Sequence, residues 1–237
     1  MSFNPYEFDR SYIPQGQTET LGQYTAKTFL WMFLGLMVTF GVAIVCWMTG
    51  IALYTLYFGA HMAILVAQLV LVVFLSSRVE RMSVGAARGC FIADSVLTGL
   101  TISVYLYLFE LTSLIFIFLA TAVYFGVLGL YGHFTRSDLS SLRPILLGGL
   151  ILMIVYGIIT WFITPMRGLD QIMSLAGIAL FLGFTAYDVK MIQSYYHYYC
   201  GYPEMLEKAS IFSALSLYLD FINLFLYLVR FMGKRKN

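Results

Sequence analysis

The sequence predicts an all-α membrane protein, a polytopic bundle of seven transmembrane helices that forms one domain. Two observations lead to this fold class. First, 60% of the 237 residues are hydrophobic and only 11% are charged, whereas about 25% of the residues in a typical soluble domain are charged. Second, the apolar runs are about 20 residues long, as membrane-spanning helices require, whereas each strand of a membrane barrel is a segment of about 10 residues.

Seven apolar segments can be marked along the chain. At roughly 1.5 Å per residue, each is long enough to cross a hydrocarbon core ~30 Å thick. We expect 27–233 to form the membrane domain, 1–26 to be a cytoplasmic tail without signal-peptide features, and 234–237 to be a basic tail. The polar stretch 193–210 is expected to be a loop. The segments cover residues 28–48, 58–77, 84–108, 111–131, 144–163, 172–192 and 211–232.

The positions of lysine and arginine predict that the N-terminus is cytoplasmic. Basic residues lie in or beside the connections after the second, fourth and sixth segments, whereas the alternate connections hold only Arg167. Basic loops stay on the cytoplasmic side of a membrane. The basic residues that set this orientation are Arg78, Arg81, Arg88, Arg136, Arg143, Lys190 and Lys208.

The C-terminus conflicts with this rule. Seven crossings would place the basic residues at the chain end outside the cell, and these are Arg230, Lys234, Arg235 and Lys236. The alternative is that the last segment re-enters and returns, because irregular backbone is tolerated at membrane depth only within protein or beside water. Both topologies stay open, and we favour seven crossings.

The last segment carries Asp220 near its middle. A charged carboxylate at the centre of a membrane helix costs about 2.5–3.5 kcal/mol on insertion scales. Polar residues at spacings of three and four place one polar face on this helix, and that face is expected to meet protein or water. The residues of this face are Ser213, Ser216, Asp220, Asn223 and Tyr227.

A second aspartate, Asp188, lies near the cytoplasmic end of the sixth segment and could approach Asp220 inside the bundle. Two carboxylates in a low-dielectric site disfavour double ionisation and titrate as one unit. Arg78 or Arg81 could reach inward from the second segment and would favour the ionised forms. The pair could be a protonation switch or part of a static ion pair that holds helices together. Asp94, in the third segment, could be a structural partner of an arginine or part of a pathway.

Other chemistries have no sequence support. The chain lacks HExxH, GxSxG, a Walker loop and a GxGxxG after a strand, so we expect no enzyme and no catalytic residue. Asp188 in AYDVK is similar to the YD pattern of aspartyl intramembrane proteases, but the partner motif GxGD is missing at Asp220. The three cysteines and three histidines have no metal-ligand spacing, so no metal or cofactor is expected. A net charge of +2 gives no indication of nucleic-acid binding.

Three stretches carry a resemblance to a known family. GIALFLGFTAYDVKMIQ and ALSLYLDFINLFLYLVRFMG resemble the C-terminal signature of the Bax inhibitor-1 family of membrane proteins. SSRVERMSVGAARGCFIADSVLTGLTIS is similar to the second-to-third helix region of its bacterial members. The similarity covers essentially all of residues 25–233.

The resemblance implies a bundle in which a central seventh helix is surrounded by six others. It implies a calcium leak controlled by pH through two aspartates, which match Asp188 and Asp220, and an arginine that matches Arg78 or Arg81, with Arg78 preferred. Asp94, Ser216 and Asn223 are then possible supporting polar residues. The resemblance also implies that calcium is the transported ion and that the protein lies in the bilayer of a bacterial inner membrane. Family members also suppress cell death or associate with a membrane-bound protease, so a non-transporting regulator that binds another membrane protein is the alternative.

Overall fold

The computed structural model describes residues 19–79, 81–134, 139, 141–162 and 167–236. Every regular element among them is an α-helix, and there are nine. The helices are α1 (Leu21–Thr49), α2 (Ile51–Tyr57), α3 (Ala60–Arg78), α4 (Val84–Ser103), α5 (Tyr105–Leu108), α6 (Leu111–Phe134), α7 (Leu142–Phe162), α8 (Arg167–Tyr199) and α9 (Pro203–Met232).

Within these described ranges, seven helical stretches are long and apolar enough to cross a membrane. They correspond to α1, α3, α4 continued by α5, α6, α7, α8 and α9, which are the seven segments marked in the sequence. The prediction of an all-α, polytopic membrane bundle is therefore confirmed. The chain is a multi-pass membrane protein.

The prediction of a long loop at 193–210 is wrong. Helix α8 continues to Tyr199 and α9 begins at Pro203, so only residues 200–202 connect them. Gly201 takes a left-handed backbone (φ 92°), and Pro203 occupies the first helical position, where its missing N–H is harmless. The stretch misled the prediction because its residues are polar and aromatic, and hydropathy reports where an apolar run stops, not where a helix stops.

Helix α9 is the most buried of the seven spans. Of the residues in its apolar stretch 67% are buried, against 44% or less in each of the other six. It is also continuous from Pro203 to Met232, so the broken backbone that a re-entrant last segment would need is absent from it. A buried helix is what the polar face around Asp220 requires.

The chain divides into two compact units. The first contains the described residues up to Phe109 together with Met191–Tyr218 and Lys236. In it α1 packs on α4, and a Cβ added at Gly99 would lie only 2.6 Å from the Thr39 carbonyl oxygen. Small residues of this kind let two membrane helices approach closely.

The second unit contains the described part of Glu110–Lys190 together with Leu219–Arg235. Here α6 and α8 approach closely, since a Cβ added at Gly132 would lie 2.6 Å from the Ala186 carbonyl oxygen. Close packing, which we consider the simplest role for glycines in α6 and α7, holds at Gly132. It does not hold at Gly126, which has nothing within 4 Å of an added Cβ.

Residues at the C-terminal end of the chain bind acidic and carbonyl groups. In the second unit the Lys234 ammonium lies 3.0 Å from Glu110, and the guanidinium of Arg230 lies 3.8 Å from Asp170. The backbone N–H of Glu110 also donates to the Lys234 carbonyl at 2.9 Å. Two basic residues of the chain end therefore have acidic partners within the protein.

Lys236 makes its contacts in the first unit. Its backbone N–H donates to the Leu108 carbonyl at 3.0 Å, and its ammonium donates to the Leu106 carbonyl at 2.8 Å. The ammonium also lies 5.8 Å from the centre of the Trp47 ring, within range of a cation–π interaction. Lys236 is thus bonded to α5.

The two glycines of α6 give a matched test of this packing. We expect Gly132→Ala to destabilise the protein by about 1–3 kcal/mol, because the new methyl group would overlap backbone that cannot move aside. Gly126→Ala should be neutral or stabilising by up to about 1 kcal/mol, since alanine favours helix more than glycine does. Thermal unfolding in detergent, followed by tryptophan fluorescence, measures both. Equal effects of the two substitutions would contradict the close α6–α8 approach.

Candidate functional site

The structure brings the side chains of Asp188 and Asp220 together. Asp188 lies on α8 and Asp220 on α9, both within the second unit, and their carboxyl groups are hydrogen-bonded to each other. Asp220 is only 4% exposed, and Asp188 is half-buried. An ionised carboxylate has no hydrogen to donate, so a hydrogen bond between two carboxyl groups requires a proton on one of them. A pair bonded in this way must therefore hold at least one proton.

The backbone of α8 beside Asp188 packs closely on α6. One turn earlier, the Thr185 hydroxyl donates to the Phe181 carbonyl at 2.8 Å, so this polar group is satisfied within its own helix. Ala186 is the residue whose carbonyl lies against Gly132 of α6. Because α8 has little room to move against α6 here, the position of Asp188 along the second unit is well defined.

Aromatic rings of α6 pack on α9 next to Asp220. The ring of Phe221 lies 5.5 Å from that of Phe118 and 5.6 Å from that of Phe125, both in edge-on arrangements. These rings give one side of the site an apolar wall. Charges interact far more strongly in such surroundings than in water, so a change of protonation at Asp220 has a large energetic effect.

One oxygen of the pair has no hydrogen-bond partner among the described residues. The Oδ2 atom of Asp220 is buried and accepts no hydrogen bond from any of the residues that the structure describes. A buried acceptor without a donor is costly. This oxygen is therefore available to a proton or a cation. Two carboxyl groups do not form a metal-binding cage, and no cluster of three or more His, Cys, Asp or Glu side chains suited to a metal ion occurs within the described ranges.

The supporting polar residues on α9 lie apart from this bond. The Asn223 side-chain amide donates to the Leu219 carbonyl of its own helix at 2.8 Å. Ser216 is half-buried and belongs to the first unit. Their role as supporting residues stays a prediction.

Asp94 is almost completely buried in the first unit, at 2% exposed. Neither of its carboxyl oxygens has a hydrogen-bond partner among the described residues. The structural interpretation, in which Asp94 pairs with an arginine, therefore finds no support in that part of the chain. A role in a pathway stays a prediction.

Arg78 and Arg81 lie in the first unit. Arg78 is the last residue of α3, and both arginine side chains are exposed. Arg81 lines a cavity at the end of α3 together with Lys208 of α9. The arginine that the resemblance pairs with the two aspartates stays a prediction for either residue.

Sequence reasoning missed a buried hydroxyl two residues before Asp220. Tyr218 is completely buried, and its hydroxyl lies 2.7 Å from that of Thr39 on α1. It is also close enough to Asp94 for an electrostatic interaction. The spacing of Asp94, Thr98 and Thr101 gives α4 a polar face. This spacing could have indicated that a buried polar side chain of another helix, such as Tyr218, lies against α4.

The fold and this buried carboxyl pair define a class of protein: a multi-pass helical membrane protein with ionisable groups inside its spans. Such groups within membrane helices are rare and commonly mark ion or proton pathways. The family model described as "Inhibitor of apoptosis-promoting Bax1" matches residues 21–237. The chain belongs to the Bax inhibitor-1 family, and the resemblance found in the motifs is confirmed.

Several bacterial proteins are similar to the chain over nearly its whole length. The uncharacterized protein RP147 of Rickettsia prowazekii is 35% identical over 221 residues, which are 92% of each chain. The inner membrane protein YbhL of Escherichia coli K12 is 34% identical over 222 residues, 91% of this chain and 93% of YbhL. An uncharacterized protein of Deinococcus radiodurans is 34% identical over 228 residues, 94% of this chain and 96% of its own length.

The shared proton can be detected directly. A protonated carboxyl group buried in protein gives an infrared C=O stretching band that is absent from a carboxylate. We expect the part of this band that comes from the pair to disappear at alkaline pH in the wild type and to be lost in Asp188→Asn and Asp220→Asn, whereas a contribution from the buried Asp94 would remain in both variants. Because an asparagine amide can donate the hydrogen bond that the protonated acid donated, both variants should still fold.

Asp170→Asn is the matched control for that experiment. Asp170 lies on α8 like Asp188, but it is half-buried and its partner is Arg230 at 3.8 Å. Its replacement should leave the carboxyl band of the aspartate pair unchanged. A band of wild-type intensity in both Asp188→Asn and Asp220→Asn would show that the pair holds no proton.

Proposed function

We propose that the protein is a passive, pH-sensitive cation leak for calcium, and that the Asp188–Asp220 pair is its switch. The observation that carries the proposal is the hydrogen bond between two carboxyl groups on neighbouring membrane-spanning helices. The bond exists only while one proton is held. Calcium favours carboxylate oxygens, so the same two groups that sense protons are suited to contact a passing calcium ion.

Protonation controls the bond between α8 and α9. When the shared proton leaves, two negative charges face each other and the hydrogen bond is lost. Two unit charges about 4 Å apart repel by about 4 kcal/mol at an effective dielectric constant of about 20. Moving a two-state equilibrium from about 1% to about 99% requires about 5.5 kcal/mol. Loss of one proton therefore supplies most of the energy needed to change the arrangement of these two helices.

Conduction requires weak binding, and the pair fits that requirement. Calcium takes about 6–8 oxygen ligands in a storage site. The pair offers only two carboxyl groups, and the Oδ2 atom of Asp220 accepts no hydrogen bond from the described residues. An ion must be attracted enough to enter a pathway and held loosely enough to leave it. The arginine of the proposal, Arg78 or Arg81, would oppose protonation by favouring the ionised forms.

The surroundings of this activity are, in our proposal, the inner membrane of a bacterium. The relative YbhL is an inner membrane protein, and the chain covers most of its length. We further propose that the protein is not an enzyme and needs no cofactor, since its sequence carries no catalytic motif.

Flux measurements test the proposal. Purified protein in liposomes with a trapped calcium indicator should give a calcium flux that depends on pH. Asp188→Asn and Asp220→Asn should flatten this dependence, because the second negative charge can no longer form at the pair. Asp170→Asn, the control on the same helix, should keep the wild-type profile. Wild-type pH profiles in both pair variants would rule out the switch.

The second candidate is a regulator that binds another membrane protein without transporting ions. It is favoured by the very low burial of α3, in which only 6% of the residues of the apolar stretch are buried. Such a surface can face lipid or the helices of a partner. This function predicts a co-purifying membrane protein and no flux from the purified chain, so pH-dependent flux without a partner would count against it.

A further inference from the structure

A second polar site lies in the first unit, away from the aspartate pair. It is a cavity of about 450 Å³, formed where α3 ends, where α8 ends and where α9 begins. The sequence places these three helix ends on the predicted cytoplasmic side. Ligand-binding cavities of proteins commonly measure about 300–1,000 Å³, so this one is large enough for a small organic molecule or a lipid headgroup.

Two cationic side chains line the cavity, Arg81 and Lys208. Lys208 is 8% exposed, and its ammonium lies 2.8 Å from the carboxylate of Glu204, which is 70% exposed and screened by solvent. Arg81 makes no salt bridge with any acidic residue that the structure describes. Among the described residues that line the cavity, two are cationic and none is acidic.

Neutral hydrogen-bonding groups surround these charges. The cavity is lined by Ser76 and Ser77 from α3 and by Tyr195 and Tyr199 from α8. Hydroxyl groups can donate to anionic oxygens. The ring of Tyr195 packs edge-on against that of Phe212 at 5.9 Å and stacks on that of Tyr199 at 6.5 Å, so the aromatic side of the cavity is held in place.

An apolar side completes the cavity. Val79, Met205, Ala209 and Phe212 also contribute to its lining. A bare inorganic anion would leave this surface without a partner, whereas an anion that carries an organic group would cover both sides. The lining therefore matches a ligand with an anionic head and a carbon-containing remainder.

We propose that this cavity binds a phosphate ester. An arginine guanidinium binds phosphate oxygens in a bidentate manner, and a lysine ammonium adds a point charge. The hydroxyl groups donate further hydrogen bonds, and the apolar side receives the organic part. The ester can come from an anionic phospholipid headgroup at the membrane surface or from a soluble phosphoester. The site is separate from the aspartate pair, and its existence does not depend on calcium flux.

Binding measurements with defined probes test the site. One arm places the full chain in nanodiscs of phosphatidylcholine with or without phosphatidylglycerol, and native mass spectrometry counts the retained lipids. The other arm adds glycerol 3-phosphate or inorganic phosphate to the detergent-solubilised protein and measures binding by calorimetry. Oleate serves as an anionic amphiphile without phosphate.

Arg81→Gln is expected to weaken binding of the active probe about tenfold or more, in line with the loss of a charge-assisted hydrogen bond of about 1.5–3 kcal/mol. Lys208→Gln should act in the same direction. The matched control is Arg88→Gln, because Arg88 is also exposed in the first unit but pairs with Glu207 outside the cavity. It removes the same charge and should leave binding nearly unchanged.

The outcomes separate clearly. Retention of phosphatidylglycerol that depends on Arg81 supports the site and names a lipid headgroup as its ligand. Binding of glycerol 3-phosphate that depends on Arg81 supports the site and names a soluble ester. The proposal is overturned if no phosphate probe binds, if oleate binds as well as phosphatidylglycerol, or if Arg88→Gln weakens binding as much as Arg81→Gln.

Discussion

The burial of a carboxyl group within the last helix is the constraint on which the second unit depends. Helix α9 is the most buried of the spans, yet it carries Asp220 at 4% exposure. Water cannot solvate this group, so another polar side chain must. Asp188 meets that need, but only if the pair holds a proton. The aromatic wall from α6 and the close contact of α8 with Gly132 keep the two acids at bonding distance in apolar surroundings.

Neutral side-chain hydrogen bonds join helices in the first unit. The Gln68 amide of α3 donates to Thr98 at 2.8 Å and accepts from Thr101 at 2.9 Å, both on α4. The hydroxyl groups of Thr39 and Tyr218 bond to each other. These are neutral hydrogen bonds, which do not require a particular protonation state. Within the described residues, these neutral contacts join helices of the first unit in a way that a change of pH leaves intact.

Much of this organisation can be predicted from the sequence, because hydropathy and helical spacing are local properties. The seven spans follow from apolar length, and the meeting of Asp188 with Asp220 follows from their positions on consecutive segments. Features that depend on packing between distant residues could not be predicted. The unpartnered oxygens of Asp94 are one case, since an arginine was an equally good expectation until the neighbours of α4 were known.

The polarity of residues 193–210 led to a wrong prediction. The stretch 193–210 was expected to be a loop, but helices continue past the point where their apolar runs end. This continuation carries Lys208 to the wall of a cavity, where it is nearly buried. Its role could not be seen while the residue was assigned to a solvated loop, since a charge there would need no partner.

The bonds of the chain end have a consequence for how α9 can move. Lys234 forms an ion pair with Glu110, and Lys236 donates hydrogen bonds to the carbonyls of Leu108 and Leu106. The residues that follow the C-terminal end of α9 are therefore bonded to other parts of the chain. Sliding of α9 along its axis would break these bonds, so they favour its present axial position.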